Sequence, residues 1–252
     1  MTLNYTPVVQ IKIVPTRLVL EYAFAAHRIN NGYFKNSYHN DSVGVTYNNR
    51  TIVENSVKHW INETHSKSTL IHWLPNEFSV PEITDSDRAA ADEIDKHFKK
   101  YMFNSLAGKL NQFETDIYSA ICGEEVELTK VGLIAYVPEL INRDRKKWEF
   151  EKTVKKEYKN SSFETAESVE GFMTVLRVYD FKNYEDQFIR NVVLGLNGNL
   201  YHFYDRKRSV ALESEGSVYH IKGRVKTEAK EKTTGATMTR LNYVKAKPCQ
   251  SQ

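Results

Sequence analysis

A chain of 252 residues, 40% hydrophobic and 27% charged, carries enough apolar material for packed cores, which excludes wholesale disorder and fits two domains of ordinary size. A formal net charge of only +3 excludes a general polycation, so any attraction for a polyanion must come from local clusters of Lys and Arg. With Cys122 and Cys249 as the only cysteines, neither a disulfide framework nor a cysteine zinc site is available.

The predicted elements begin with a strand over residues 8–14, too brief and too polar for a signal-peptide core or a membrane span; the expectation is a cytoplasmic protein with no membrane partner. Pro15 ends that strand, and Thr16 is placed to cap a helix over residues 17–29, where Leu18, Tyr22, Ala25 and Ile29 recur at helical spacing. Residues 30–49, rich in Asn and Tyr with Gly32 and Gly44, read as an aromatic loop or hairpin. A helix over 51–62 follows, and Pro75 and Pro81 bracket a loop. Thr84 and Asp87 have the form of a capping box, so a long helix is expected from Asp85 to Ala107, stopped by Gly108. Helices over 110–121, 126–137 and 139–158 complete the set; Arg143, Arg145, Lys146 and Lys147 on the last one read as a solvated face.

Small polar residues replace the helical pattern at 160–167, and period-two patterning starts directly after them. The boundary is therefore expected there, giving a mainly helical domain over 1–163 and a β domain over 164–252. Its first strand, 171–181, sets Phe172, Thr174, Leu176 and Val178 against Met173, Val175, Arg177 and Tyr179. A second strand over 187–194 leads into Asn197-Gly198, a type I′ turn signal, and a third strand over 200–204. A charged connection over 205–215 precedes two strands, 218–226 and 236–245, joined by a lysine-rich turn. Three strands in a meander, a connection and a closing hairpin match the five-stranded OB-like β-barrel, so the expected class is α+β.

The last hairpin carries the strongest functional signal. Tyr219, Ile221, Gly223 and Val225 alternate with His220, Lys222, Arg224 and Lys226, so one face builds a core and the other forms a cationic stripe. Lys230, Lys232, Arg240, Lys245 and Lys247 add to it, offset only by Glu228 and Glu231. Cations with aromatic residues nearby form a footprint for a single strand, whose phosphates meet the charges and whose bases stack on rings. By alternation the candidate nucleic-acid-binding set is Arg177, Tyr179, His202, Tyr204, Lys222, Arg224, Lys226 and Arg240.

The same residues carry a resemblance. The tail "GSVYHIKGRVKTEAKEKTTGATMTRLNYVK", the hairpin "NGNLYHFYD" and the stretch "LAGKLNQFETDIYSAI" resemble a pattern in bacteriophage and mobile-element proteins that end in a small OB-like domain, over roughly residues 99–247. Those relatives share a Gly-Thr-Val-Lys run and a Gln-Thr-hydrophobic-Leu ending; here Gly223, Arg224, Val225 and Lys226 stand for the first, and Met238, Thr239 and Leu241 fall in the second. The resemblance implies binding of single-stranded nucleic acid, DNA by preference, in replication or recombination, with replication or host proteins as further partners.

Nothing in the chain points to catalysis. There is no Walker loop, GxGxxG or GxSxG elbow. His59, His65 and His72 are spaced by six and seven, which suits neither a helical zinc pair nor a finger. Asp85 and Asp87 are explained by the helix start, and Glu124 and Glu125 by an exposed turn beside Gly123. His27 and His97 lie within helical runs, and His202 and His220 on strands near Lys222. No metal or cofactor is expected. The competing reading is a viral adaptor whose helical domain and barrel both bind proteins.

Overall fold

The computed structural model describes residues 12–40, 44–64, 75, 78–94, 96–98, 110–182, 187–205 and 215–249. It comprises two compact units, Met1–Asp144 and Arg145–Gln252. The first is helical and the second is built on a closed five-stranded barrel, so the class is α+β. No helix among the described residues is long and apolar enough to cross a membrane.

In the first unit, β1 (Ile13–Pro15) pairs antiparallel with β4 (Glu125–Glu127). Pro15 leads directly into α1 (Thr16–Ile29), whose Val19, Ala23 and Ala26 are fully buried. Thr16 is therefore the first helical residue rather than the cap: the β1–β4 ladder brings its amide onto the Glu124 carbonyl at 2.9 Å. On α1 pack α2 (Asn49–Thr64), α3 (Asp85–Asp92) and the short α5 (Val131–Ile134), while α4 (Gln112–Ile121) packs on α5 and β4, over one core that includes Val53, Ile61, Ile117, Ile134 and Leu140. The stretch expected as one helix over 126–137 is instead β4, a 3-10 turn at Leu128–Lys130 and α5, because Val126 is drawn into the ladder opposite Val14.

The capping box is present: Asp87 N–H and the Thr84 hydroxyl meet at 3.4 Å, and Asp87 Oδ2 accepts from Thr84 N–H at 2.9 Å. Arg28 also donates to this buried carboxylate at 2.9 Å. Burial alone would raise the Asp87 pKa, but the bonds from Arg28 and Thr84 outweigh it and hold the carboxyl below its usual range. α3 closes at Glu93 with no glycine or proline to mark the break, and helical backbone resumes at Ile94 and over residues 96–98, within the stretch expected as one helix; residues 99–107 of that expected helix lie outside the described residues, as do residues 8–11, 206–214, His65 and His72. The Asn-rich segment forms the expected hairpin, β2 (Tyr38–Asn40) against β3 (Gly44–Thr46). Its anchor is Asn49, fully buried, whose Oδ1 accepts from Phe34 N–H at 2.8 Å and whose Nδ2 donates to the Gly32 carbonyl at 3.0 Å.

In the second unit the strands β5 (Ser168–Lys182), β6 (Phe188–Leu196), β7 (Asn199–Asp205), β8 (Val218–Lys230) and β9 (Thr237–Pro248) close in the order β5-β6-β7-β9-β8. All pairings are antiparallel except β7 with β9. The long β5 serves two neighbours, pairing with β8 over its first half and with β6 over its second. This order is compatible with an OB-like fold. Asn197 and Gly198, with φ of 49° and 80°, make the tight β6–β7 turn.

Met173, Val175, Val192, Leu194, Tyr201, Phe203, Tyr219, Ile221 and Leu241 fill the barrel. The even alternation predicted for β5 is broken where the register slips between Val175 and Arg177: Leu176 is the extra residue, so Met173 and Val175 face in while Arg177 and Tyr179 face out. The helix α6 (Val137–Glu157) crosses the division between the units. Its last turns, with Tyr158, lay Phe150 and Val154 against Val193, Leu200 and Met238 on the outside of the barrel.

Candidate nucleic-acid interface

Register places all eight candidate residues on the outer surface of the barrel, in two groups. Arg177, Val193, His202, Arg240 and Thr227 form one row across five strands, and Tyr179, Asn191 and Tyr204 form the next across three. The end of α6 covers Val193, Leu200 and Met238, leaving Arg177, Tyr179, His202, Tyr204 and Arg240 as one group around Asn191.

That group is tied together by a polar chain. Asn191 Nδ2 donates to the Tyr179 hydroxyl at 2.6 Å, and Asn191 Oδ1 lies 3.2 Å from His202 Nδ1. An amide oxygen only accepts, so Nδ1 carries the proton and Nε2 is a bare lone pair. His202 is 3% exposed, and its Nε2 has no hydrogen-bond partner among the described residues. Burial, and then the charge of Arg240, push its pKa down to about 4, so the ring is neutral at physiological pH.

The sign of the resulting pH dependence follows directly. The unfolded chain binds a proton at His202 near pH 6.5 and the folded chain only near 4, so this residue's stabilising contribution is full above 6.5 and is lost as the pH falls toward 4. The expected loss reaches about 3 kcal/mol at the acid end. Urea unfolding from pH 7 to 4 should show the second unit of the wild type losing stability more steeply than that of His202→Gln; equal slopes would contradict the assignment.

The tyrosine rings of this group are partly occupied. Arg177 sits 5.1 Å from the centroids of both Tyr179 and Phe150, and Arg240 lies 4.6 Å over Tyr204. Phe181, absent from the candidate set, packs on Tyr204 at 5.7 Å. One face of each tyrosine is thus taken by a guanidinium, which leaves the arginines' outer N–H groups as the more available element.

The second group follows β8. Lys222 and Arg224 are exposed and outward, while Tyr219, Ile221 and Gly223 are buried, as the alternation predicts. Lys226 is the extra residue where the register slips between Val225 and Thr227, and it too is exposed. Flanking strands extend this surface: Lys245 is opposite Lys222, Lys247 opposite His220 and Asn242 opposite Arg224 on β9, with Glu170 and Phe172 opposite Lys222 and His220 on β5. Lys222 Nζ donates to Glu170 Oε2 at 2.5 Å, and this bond holds the exposed carboxyl below its usual range. The acids of the connecting turn are also engaged. Glu228 pairs with Lys230 at 3.1 Å, and Glu231 Oε2 accepts from Thr233 and Thr234 N–H at 2.8 and 2.6 Å, which shapes the turn.

Two aromatic rings of this surface were not singled out by sequence reasoning. Phe172 is 61% exposed and packs edge-on to His220 at 5.2 Å, and Tyr243 is 81% exposed. Phe172 was legible as the residue alternating with buried Met173; Tyr243 was not, since even alternation would have turned it inward with Leu241. Arg240 joins the two groups, being opposite His202 on β7 and opposite Thr227, next to Lys226, on β8. Among the described residues no group of three or more His, Cys, Asp or Glu could hold a metal ion. Compared with protein families, curated proteins and solved structures, the chain matches none.

Proposed function

We propose that this protein binds single-stranded nucleic acid, DNA by preference, on the outer surface of its barrel, and acts by binding rather than by catalysis. The observation that carries the reading is the exposed surface of β8 and β9, where Lys222, Arg224, Lys226, Lys245 and Lys247 flank two open rings, Phe172 and Tyr243. Alternate residues on a strand are about 6.6 Å apart, on the order of one nucleotide step of an extended strand, so the cations of β8 and β9 suit successive phosphates. The OB-like strand order supports the same reading, because that barrel architecture is a recurrent scaffold for oligonucleotides. In this account Arg240 and Arg177 continue the cationic track toward β7, with Tyr179, Tyr204 and neutral His202 as the framework that aims them. A role in phage replication or recombination is the setting consistent with the resemblance of residues 99–247.

Photo-crosslinking of a halogenated oligo-dT followed by peptide mapping tests the location. Crosslinks are expected within residues 168–182, 218–230 and 237–248; crosslinks confined to residues 12–144 would overturn it.

A further inference from the structure

The bulge in β9 explains itself, but the residue placed in it does not. Between the pairs Lys222–Lys245 and Arg224–Asn242, β8 advances by two residues and β9 by three, and Tyr243 is the extra one. The insertion lets Leu241 and Val244 both face the barrel core. Any residue could serve that purpose, and glycine or asparagine would serve it best, because Tyr243 adopts a φ of 52°. Among the described residues the other non-glycine positions with positive φ, Asn31 and Asn197, are the type that tolerates it. A tyrosine here bears backbone strain and leaves its ring 81% exposed, with no hydrogen bond, ring or cation contact among the described residues to offset it. Core packing therefore does not account for the side chain.

We propose that Tyr243 is a base-stacking residue: its ring is held out beside Asn242 and Lys245, opposite Arg224 and Lys222, so that a base of a strand whose phosphates lie on those cations stacks against it. This rests on the single-strand reading above. Strain retained at an exposed aromatic is the pattern expected where a conformation serves a ligand rather than the fold.

The experiment uses the full chain and a labelled oligo-dT as probe. Tyr243→Gly should raise the melting temperature by about 2–4 °C, by relieving the positive φ, while weakening binding about five- to hundredfold with an unchanged salt slope. Tyr243→Phe should bind as the wild type does. Tyr243→Trp adds a direct readout, its emission quenched by saturating oligo-dT beyond any change in the wild type. If the wild type binds and Tyr243→Gly binds equally well, the stacking role is wrong and the single-strand reading stands. A Tyr243→Gly protein that melts lower than wild type removes the strain argument and overturns the proposal. If the wild type binds no single strand, both readings fall together.

Discussion

Replacing Gly195 with valine is expected to lift the end of α6 off the barrel and to destabilise the second unit by about 3 kcal/mol or more. A Cβ at Gly195 would overlap the phenol of Tyr158, with ring carbon Cζ only 2.5 Å away. That ring cannot swing clear, because Tyr158 is buried in the cluster of Phe150, Val154, Val193, Leu200 and Met238. Glycine at the penultimate position of β6 is therefore a packing requirement rather than a turn. Tyr158→Ala alone should cost a similar amount by leaving a cavity. In that background Gly195→Val should cost much less, since the valine occupies space the ring has vacated; the non-additivity, about 0.5–3 kcal/mol in a urea-unfolding cycle, is the signature of direct contact. Strict additivity would show that the helix end does not seat on Gly195.

The second large effect concerns binding. Reversing Lys222, Arg224, Lys245 and Lys247 to Glu should abolish most single-strand affinity at low salt. Each phosphate neutralised contributes about 0.7 to the slope of log affinity against log salt, so losing all four contacts should flatten it by about 3. The effect should be the same for every sequence, because phosphate contacts carry no base information. Glu170→Gln gives the opposite control: it frees Lys222 from its carboxylate partner and should strengthen binding without touching the strand directly. Phe172→Ala should weaken binding while leaving the slope in place. A quadruple reversal that folds normally yet binds as the wild type does would remove the cationic track from the account.

Much of the barrel was legible because β5 and β8 begin with a period-two pattern and the Asn197-Gly198 turn has one strong geometric preference. What escaped were the single extra residues, Leu176, Lys226 and Tyr243, since nothing in their composition distinguishes a bulge from an even strand. Three-residue β4 escaped for a related reason, being too short to show a period, whereas β1 falls at the end of the strand expected over residues 8–14. Phe150, Val154 and Tyr158 stood at helical spacing in the sequence, but their partner, the outer face at Val193, Leu200 and Met238, follows only from barrel closure. The candidate site divides along the same line. Alternation placed Lys222 and Arg224 outward and Tyr219 and Ile221 inward, as found. Which rings remain open was decided by where Arg177 and Arg240 lie, a tertiary outcome that no local pattern encodes.

The most direct measurement is fluorescence-polarisation titration of the full chain with labelled single-stranded dT, single-stranded rU and a duplex of equal length, at a low and a high salt concentration. The account predicts saturable binding to the single strands at low salt, weaker binding to the duplex, and a steep loss of affinity at high salt. No measurable single-strand binding at low salt, or a duplex bound as tightly as dT, would contradict it.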